Sequence, residues 1–152
     1  MRTMGLDVGT KTVGIAVSDG LGITAQGITT IRRTGMKADL TELKRLCEEH
    51  EVTRLVVGLP LNMDGSEGPR AEASRKFGEA AAAQTGLEVI YWDERLTTVA
   101  AQRVLLEADV SRKKRREVVD QIAAQLILQG WLDGQSNAAG TNADYDPRDY
   151  ED

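Results

Sequence analysis

The chain has 152 residues, 41% of them hydrophobic and 28% charged, with a net charge of −5 and a single cysteine. That length suits one domain with a real core; no apolar run approaches the ~20 residues that span a bilayer, and Cys47 alone excludes an internal disulfide. The opening MRTMGLDVGT lacks the apolar core and cleavage site of a secretory signal, so a cytoplasmic protein with no membrane partner is expected.

Arg2 to Val8 reads as a short apolar strand that ends at Asp7-Val8-Gly9-Thr10. After a tight Gly-Thr-Lys turn, Val13 to Ser18 is β-rich, and Ile23 to Ile31 is a third β-like stretch. Three short strands with tight connections predict an antiparallel meander. Asp39 then opens a helical pattern, with Leu40, Leu43, Leu46 and Cys47 at three- and four-residue spacing. Arg54 to Gly58 is a continuous apolar run of the kind buried in a parallel sheet. Leu59 to Pro69 is a loop by composition, Arg70 to Thr85 a helix stopped by Gly86, and Leu87 to Trp92 a further strand. Helices are expected from about Thr97 to Glu107 and from about Arg112 to Leu132. Residues 1–133 would then form the domain, and 134–152, rich in Gly, Asn, Asp and Tyr, a disordered acidic tail. The order β-β-β-α-β-α-β-α-α predicts an α/β fold, a mixed five-stranded sheet with helices on both faces. Right-handed crossovers place the Arg54 strand beside the first strand and the Leu87 strand beyond it.

A negative net charge argues against a polyanionic partner, but its distribution weakens the objection. The tail holds Asp144, Asp146, Asp149, Glu151 and Asp152 against Arg148 alone, which leaves the remainder close to neutral. Basic residues cluster at Arg32-Arg33, at Arg70 with Arg75-Lys76, and in the run Arg112, Lys113, Lys114, Arg115 and Arg116. A group of catalytic carboxylates would itself make a nucleic-acid enzyme look acidic.

Three places carry such carboxylates. Asp7 ends a strand between glycines, where backbone can approach a ligand and the side chain projects into an open crevice; the bland reading is a hairpin turn. Asp93 and Glu94 end another strand, and because neighbours on a strand point to opposite faces, only one of them can serve a given site. The spacing leaves both as candidates, against a plain strand-to-helix junction with Glu94 paired to Arg95 or capping. Asp120 shares a helical stripe with Ala123, Ala124 and Ile127, so it faces the core, and the two alanines would let its helix approach Asp7. A buried carboxylate needs a cation or hydrogen bonds, the alternative being an ion pair with Arg116 on a half-exposed face. Three converging carboxylates suit hard divalent cations, Mg2+ or Mn2+, and two such ions can drive phosphodiester hydrolysis. One His and one Cys give no zinc constellation. Phosphate contacts are expected from Lys11, Ser18, Arg95, Thr97 and Thr98, from the amides of Asn62 to Gly68, and from Arg112 to Arg116, a run that would otherwise be a solvated helix start. His50, Cys47, Trp92 and Trp131 read as structural.

GLDVGTKTVGIAVSD, VVGLPLNMDGSEG, DERLTT and RREVVDQIAAQLILQGWLD, in that order, resemble the successive signatures of the YqgF/RuvX family over nearly the whole chain to Leu132. The resemblance implies a ribonuclease H-like fold related to the RuvC Holliday-junction resolvases. It also implies a metal-dependent nuclease, a hydrolase linked to maturation of the 5′ end of pre-16S ribosomal RNA and sometimes described as a junction resolvase. By matching motifs, Asp7, Asp93 or Glu94, and Asp120 take the catalytic role, with Asp7, Glu94 and Asp120 as the expected metal ligands. The partners expected are RNA (pre-rRNA) and branched or single-stranded DNA, for a monomer or homodimer. One departure stands out: RuvC-like enzymes carry an acid at the end of the strand beside the first, and here that strand ends Val56-Val57-Gly58-Leu59. The nearest acids are Asp64 and Glu67, so the second ligand must come from them or from Asp93 or Glu94. Two other classes compete. DVGTKT also resembles the first phosphate motif of the sugar-kinase and actin-like superfamily, but 152 residues supply one of the two lobes needed. A non-catalytic nucleic-acid module on the same fold is the other.

Overall fold

The computed structural model describes residues 2–96 and 112–141, with side chains described for 2–96 and 119–135. The expected helix at Thr97 to Glu107 and residues Thr97 and Thr98 lie outside the described residues, as do the side chains of Arg112, Lys113, Lys114, Arg115 and Arg116. Five strands, β1 (Arg2–Val8), β2 (Thr12–Ser18), β3 (Ala25–Arg32), β4 (Val52–Leu59) and β5 (Glu88–Asp93), form one sheet in the order β3-β2-β1-β4-β5. The first three make the antiparallel meander, while β4 and β5 run parallel to β1 through helical crossovers. Crossovers of one hand produce this order, as expected.

Helices α1 (Met36–Glu49) and α2 (Pro69–Thr85) cover one face of the sheet. Their stripes, Leu40, Leu43, Leu46 and Cys47 on α1 and Phe77 with Ala81 on α2, close over Met4, Leu6, Val13, Ile15, Leu55 and Val57. Pro69 starts α2, and Gly86, in the left-handed region at φ 73°, ends it. Helix α3 (Arg112–Thr141) covers the other face, where Ala123, Ala124, Ile127, Leu128 and Trp131 pack on Ala16, Ala25 and Val56. β1 and β2, sandwiched between these layers, are buried on both faces. Among the described residues no helix is long and apolar enough to cross a membrane.

Two differences from the sequence expectation have physical reasons. Helix α1 begins at Met36, three residues before Asp39, because Asp39 is not a cap but a buried ion-pair partner inside the first turn. Helix α3 continues through Gly134 to Thr141. An internal glycine costs a helix only about 1 kcal/mol, and at Gly134 the ring of Trp92 lies 3.7 Å from where a Cβ would stand.

The β3 edge is covered as well as the faces. On the β3 edge, Gln129 Oε1 accepts the Ala25 amide at 2.8 Å and Gln125 Oε1 accepts the Gly27 amide at 3.4 Å. Helix α3 thus occupies backbone donors that would otherwise invite a foreign strand.

Candidate active site

The approach of α3 to the sheet builds the site. Gly5, Gly14, Gly27 and Gly58, one on each of β1 to β4, lie beneath the helix. A Cβ at Gly14 would overlap the Asp120 carbonyl, and one at Gly5 would stand 2.7 Å from Leu128 Cβ. The alanines noted in the sequence are half of this contact; the glycine floor is the other half. Its signal was a glycine recurring on each of four predicted strands.

Asp7 lies on β1 between Leu6 and Val8, both of which pack towards α1 and α2, so its side chain faces α3. It pairs across the strands with Gly14, the residue pressed against Asp120. Asp7 is 5% exposed and Asp120 9%. Asp120 is thus nearly buried at the sheet end that carries Asp7, as its apolar stripe predicts. The hydroxyl of Thr12 donates to Asp120 Oδ2. Thr12 is a residue that the sequence reading missed, because only the β1–β2 register shows it lying under the helix.

Asp93 and Glu94 lie on different sides of the sheet. Tyr91 packs with the α1/α2 core and Trp92 with the α3 core, which puts Asp93 on the α1/α2 side. There Arg95 holds it through Nε at 3.0 Å and Nη2 at 2.7 Å, and the Arg95 amide donates to it at 2.9 Å. This hydrogen-bonded clamp keeps the Asp93 carboxyl below its usual range. The bland pairing with Arg95 is therefore real, but its acid is Asp93. Glu94 begins the 3₁₀ turn Glu94–Leu96, and its carboxyl carbon lies 3.3 Å from where a Cβ of Gly58 would stand. The strand end that lacks an acid thus provides a vacant Cβ position, over which the Glu94 carboxyl rests.

Around these acids the loops are tied. Arg33 Nη1 donates to the Gly9 carbonyl at 2.9 Å, and the Arg33 amide donates to the Lys11 carbonyl at 2.8 Å. The same guanidinium pairs with Asp39 at 3.1 Å and stacks 5.3 Å from the centre of the Phe77 ring. Asp39 is 1% exposed, and its other oxygen accepts the Thr34 amide. Arg95 Nη1 also reaches the Met63 carbonyl at 3.3 Å, joining the Glu94 turn to the loop from Asn62 to Gly68. That loop is folded on itself by Asn62, Asp64 and Ser66. Lys11 is exposed on its turn beside the site. Ser18 is not near it: its hydroxyl accepts the Thr3 amide, at the opposite end of β1 from Asp7. The backbone of Arg112 to Arg116 forms the first helical turns of α3, ahead of Asp120 and at the end of the helix where the acids gather.

The donor set is all carboxylate; Cys47 packs on Met4 Sδ at 3.9 Å and His50 follows the last turn of α1. Among the described residues no three His, Cys, Asp or Glu side chains close by themselves into a cation cage. Mg2+ does not require one, since it keeps several waters and is held by one or two carboxylates, so the residues present fit a hydrated divalent ion.

Comparisons with known proteins agree with this reading of the fold. The family model described as RuvX, Holliday junction resolvase, matches residues 1–134. A Myxococcus xanthus protein named as a candidate pre-16S rRNA nuclease is 68% identical over 151 residues, covering 99% of this chain and 98% of its own length. A Moorella thermoacetica protein of the same name is 64% identical over 133 residues, covering 88% of this chain and 95% of its own. Among solved structures, T. thermophilus RuvC in complex with a Holliday junction superposes with a TM-score of 0.52 at 13% identity, covering 84% of this chain and 91% of that one. The fowlpox virus Holliday junction resolvase does so with a TM-score of 0.51 at 14% identity, covering 88% and 99%. The architecture is the ribonuclease H-like one that the strand order predicts.

Proposed function

The chain belongs to the RuvX family, described as Holliday junction resolvase, and we propose that it is a divalent-metal-dependent nuclease acting in 5′-end processing of pre-16S ribosomal RNA in the cytoplasm. What supports the proposal is that Asp7 and Asp120, both nearly buried, meet at Gly14, and that the Glu94 carboxyl rests at Gly58 on the strand next to β1. Their names give the Myxococcus xanthus and Moorella thermoacetica relatives the same substrate. The catalytic domain lies within residues 1–133.

Asp7, Glu94 and Asp120 would hold Mg2+ or Mn2+, which supplies an activated water and stabilises the leaving oxygen in phosphodiester cleavage. Asp7 and Asp120, both nearly buried, present carboxylate oxygens at fixed positions on the strand and helix. Thr12 engages Oδ2 of Asp120 and so orients its second oxygen. Asp93 serves as a positioning residue: through Arg95 it fixes the turn that carries Glu94 and ties it to the Met63 loop. Lys11, Thr97, Thr98 and Arg112 to Arg116 are assigned to the nucleic-acid backbone, whose charge three carboxylates alone would repel. Arg95 can add to them only with the donors that Asp93 leaves over.

The family's description favours a second reading, cleavage of four-way DNA junctions. The deciding experiment is cleavage of labelled pre-16S RNA fragments, single-stranded DNA and a four-way junction with Mn2+ or EDTA. Wild type is compared with Asp7→Asn, Glu94→Gln, Asp120→Asn and Asp93→Asn. Metal-dependent cutting of RNA, lost by at least a hundredfold in the first three and only weakened in the fourth, is expected. Preferred cutting of the junction would move the substrate to DNA. Intact binding without cutting of any substrate would make the chain a non-catalytic module.

A further inference from the structure

Arg32 and Arg33 are neighbours on one strand and have opposite fates. Arg33 is drawn towards the α1/α2 side, onto Asp39, the Gly9 carbonyl and Phe77. Arg32 pairs across the strands with Thr12, and Thr30 with Gly14. Cross-strand partners share a face, and Thr12 and Gly14 both meet Asp120 on the α3 face. Ile31, between Thr30 and Arg32, is buried in the opposite core. Arg32 is therefore an exposed cation on the carboxylate face, at the same end of the sheet, two strands from Asp7 and on the side away from Glu94. At about 4.8 Å per strand and about 3.4 Å for each of the two residues by which it is offset along the strands, its base stands roughly 12 Å from Asp7, beyond the scissile position but within reach of a flanking phosphate.

We propose that Arg32 is a phosphate-binding residue, holding a nucleic-acid backbone where it crosses the β3 side of the carboxylate site. Its place beside a cleavage centre rests on the nuclease reading above; its contact with nucleic acid does not. Arg32 has a partner within the protein, and five guanidinium donors are enough to keep that partner and still donate to a phosphate oxygen. Lys11, exposed on the adjoining turn, extends the same rim towards Asp7. The rim supplies fixed positive charge next to acids that would otherwise repel a polyanion.

The test uses the full chain and a fluorescein-labelled single-stranded RNA. Binding is followed by anisotropy across a salt series in EDTA for wild type, Arg32→Gln and Arg32→Lys, with thermal melts as a control for folding. Losing one phosphate contact should lower the slope of log K against log salt by about 0.7 and weaken low-salt binding roughly two- to fivefold. Arg32→Lys should keep the slope. In Mn2+, Arg32→Gln should raise KM by a similar factor and leave kcat unchanged. An unchanged slope and KM in a folded Arg32→Gln protein would overturn the proposal while leaving the nuclease reading intact. A changed slope in a protein that cuts nothing would uphold the contact and sink the nuclease reading.

Discussion

At the scale of single residues, the site depends on what is missing as much as on what is present. Gly58 has no side chain, and the Glu94 carboxyl and the Ile127 side chain converge on the space this leaves. A methyl group there must push one of them aside. Ile127 Cδ1 is the far end of a flexible chain, so Gly58→Ala should cost only about 1–3 kcal/mol of stability as overpacking. Cleavage in Mn2+ should fall at least tenfold, because Glu94 loses its seat. Single-turnover cleavage beside urea unfolding separates the two effects, and full activity in Gly58→Ala would show that Glu94 is not used from that position. Thr12 carries a second prediction. Thr12→Val keeps the shape but leaves Asp120 Oδ2 without its donor, in a nearly buried position where an unpaired acceptor costs about 1–3 kcal/mol. Activity should drop about tenfold in Thr12→Val and stay near wild type in Thr12→Ser; equal losses in both would mean that the methyl group, not the hydroxyl, matters. The acids themselves were legible in the sequence, since Asp7 and Asp120 break apolar patterns. Thr12 and Gly58 were not, because their roles exist only once the register of β1 with β2 and the crossing of α3 are known.

At the scale of elements, the Arg33–Asp39 pair joins four pieces of chain: the end of β3, the first turn of α1, the β1–β2 turn and the Phe77 ring of α2. Asp39 is shielded from water and Arg33 is partly buried, with 20% of its side chain exposed, which makes removal of either partner costly. Asp39→Ala should destabilise by about 3–5 kcal/mol, since it strands a guanidinium in a mostly buried setting. Arg33→Ala should cost a comparable amount, and the double variant should fall well short of the sum. Urea unfolding of the three proteins checks this; additive losses would mean that the two residues act separately. Faster hydrogen exchange at Gly9 in Arg33→Ala would show that the pair also holds the turn beside Asp7. Element types and order were readable because the patterns were long. β4 carries a continuous apolar run from Leu55 to Leu59, and α1 shows its stripe in four residues. The Arg33–Asp39 pair was not readable, as charged residues at a strand end and in a helix's first turn look alike whether buried or solvated.

At the scale of the whole molecule, the one thiol reports on the core. Cys47 is 4% exposed, packed on Met4 beneath the α1 layer, and its thiol is pushed up to about 11, first by burial and then by the charge of Glu48. In the unfolded chain the same thiol ionises near ~8.5. A group whose pKa is raised by folding contributes its stability in full below the unfolded value and loses it as pH climbs through the folded one. The urea midpoint should therefore decline between about pH 8.5 and 11. Tyr91, also raised chiefly by burial, adds a decline of the same sign starting near its ordinary ~10. Cys47→Ala should flatten the first part of this profile and leave the Tyr91 part in place. The same burial makes Cys47 a probe of opening: at pH 8, iodoacetamide should modify it only as fast as the α1 layer unlocks, and urea should accelerate that rate in step with global unfolding. Rapid labelling without urea, or a midpoint that does not move between pH 8.5 and 10, would mean that α1 opens independently of the sheet. The Arg33–Asp39 anchor of the β1–β2 turn would then be decoupled from the core on which the carboxylate site is built.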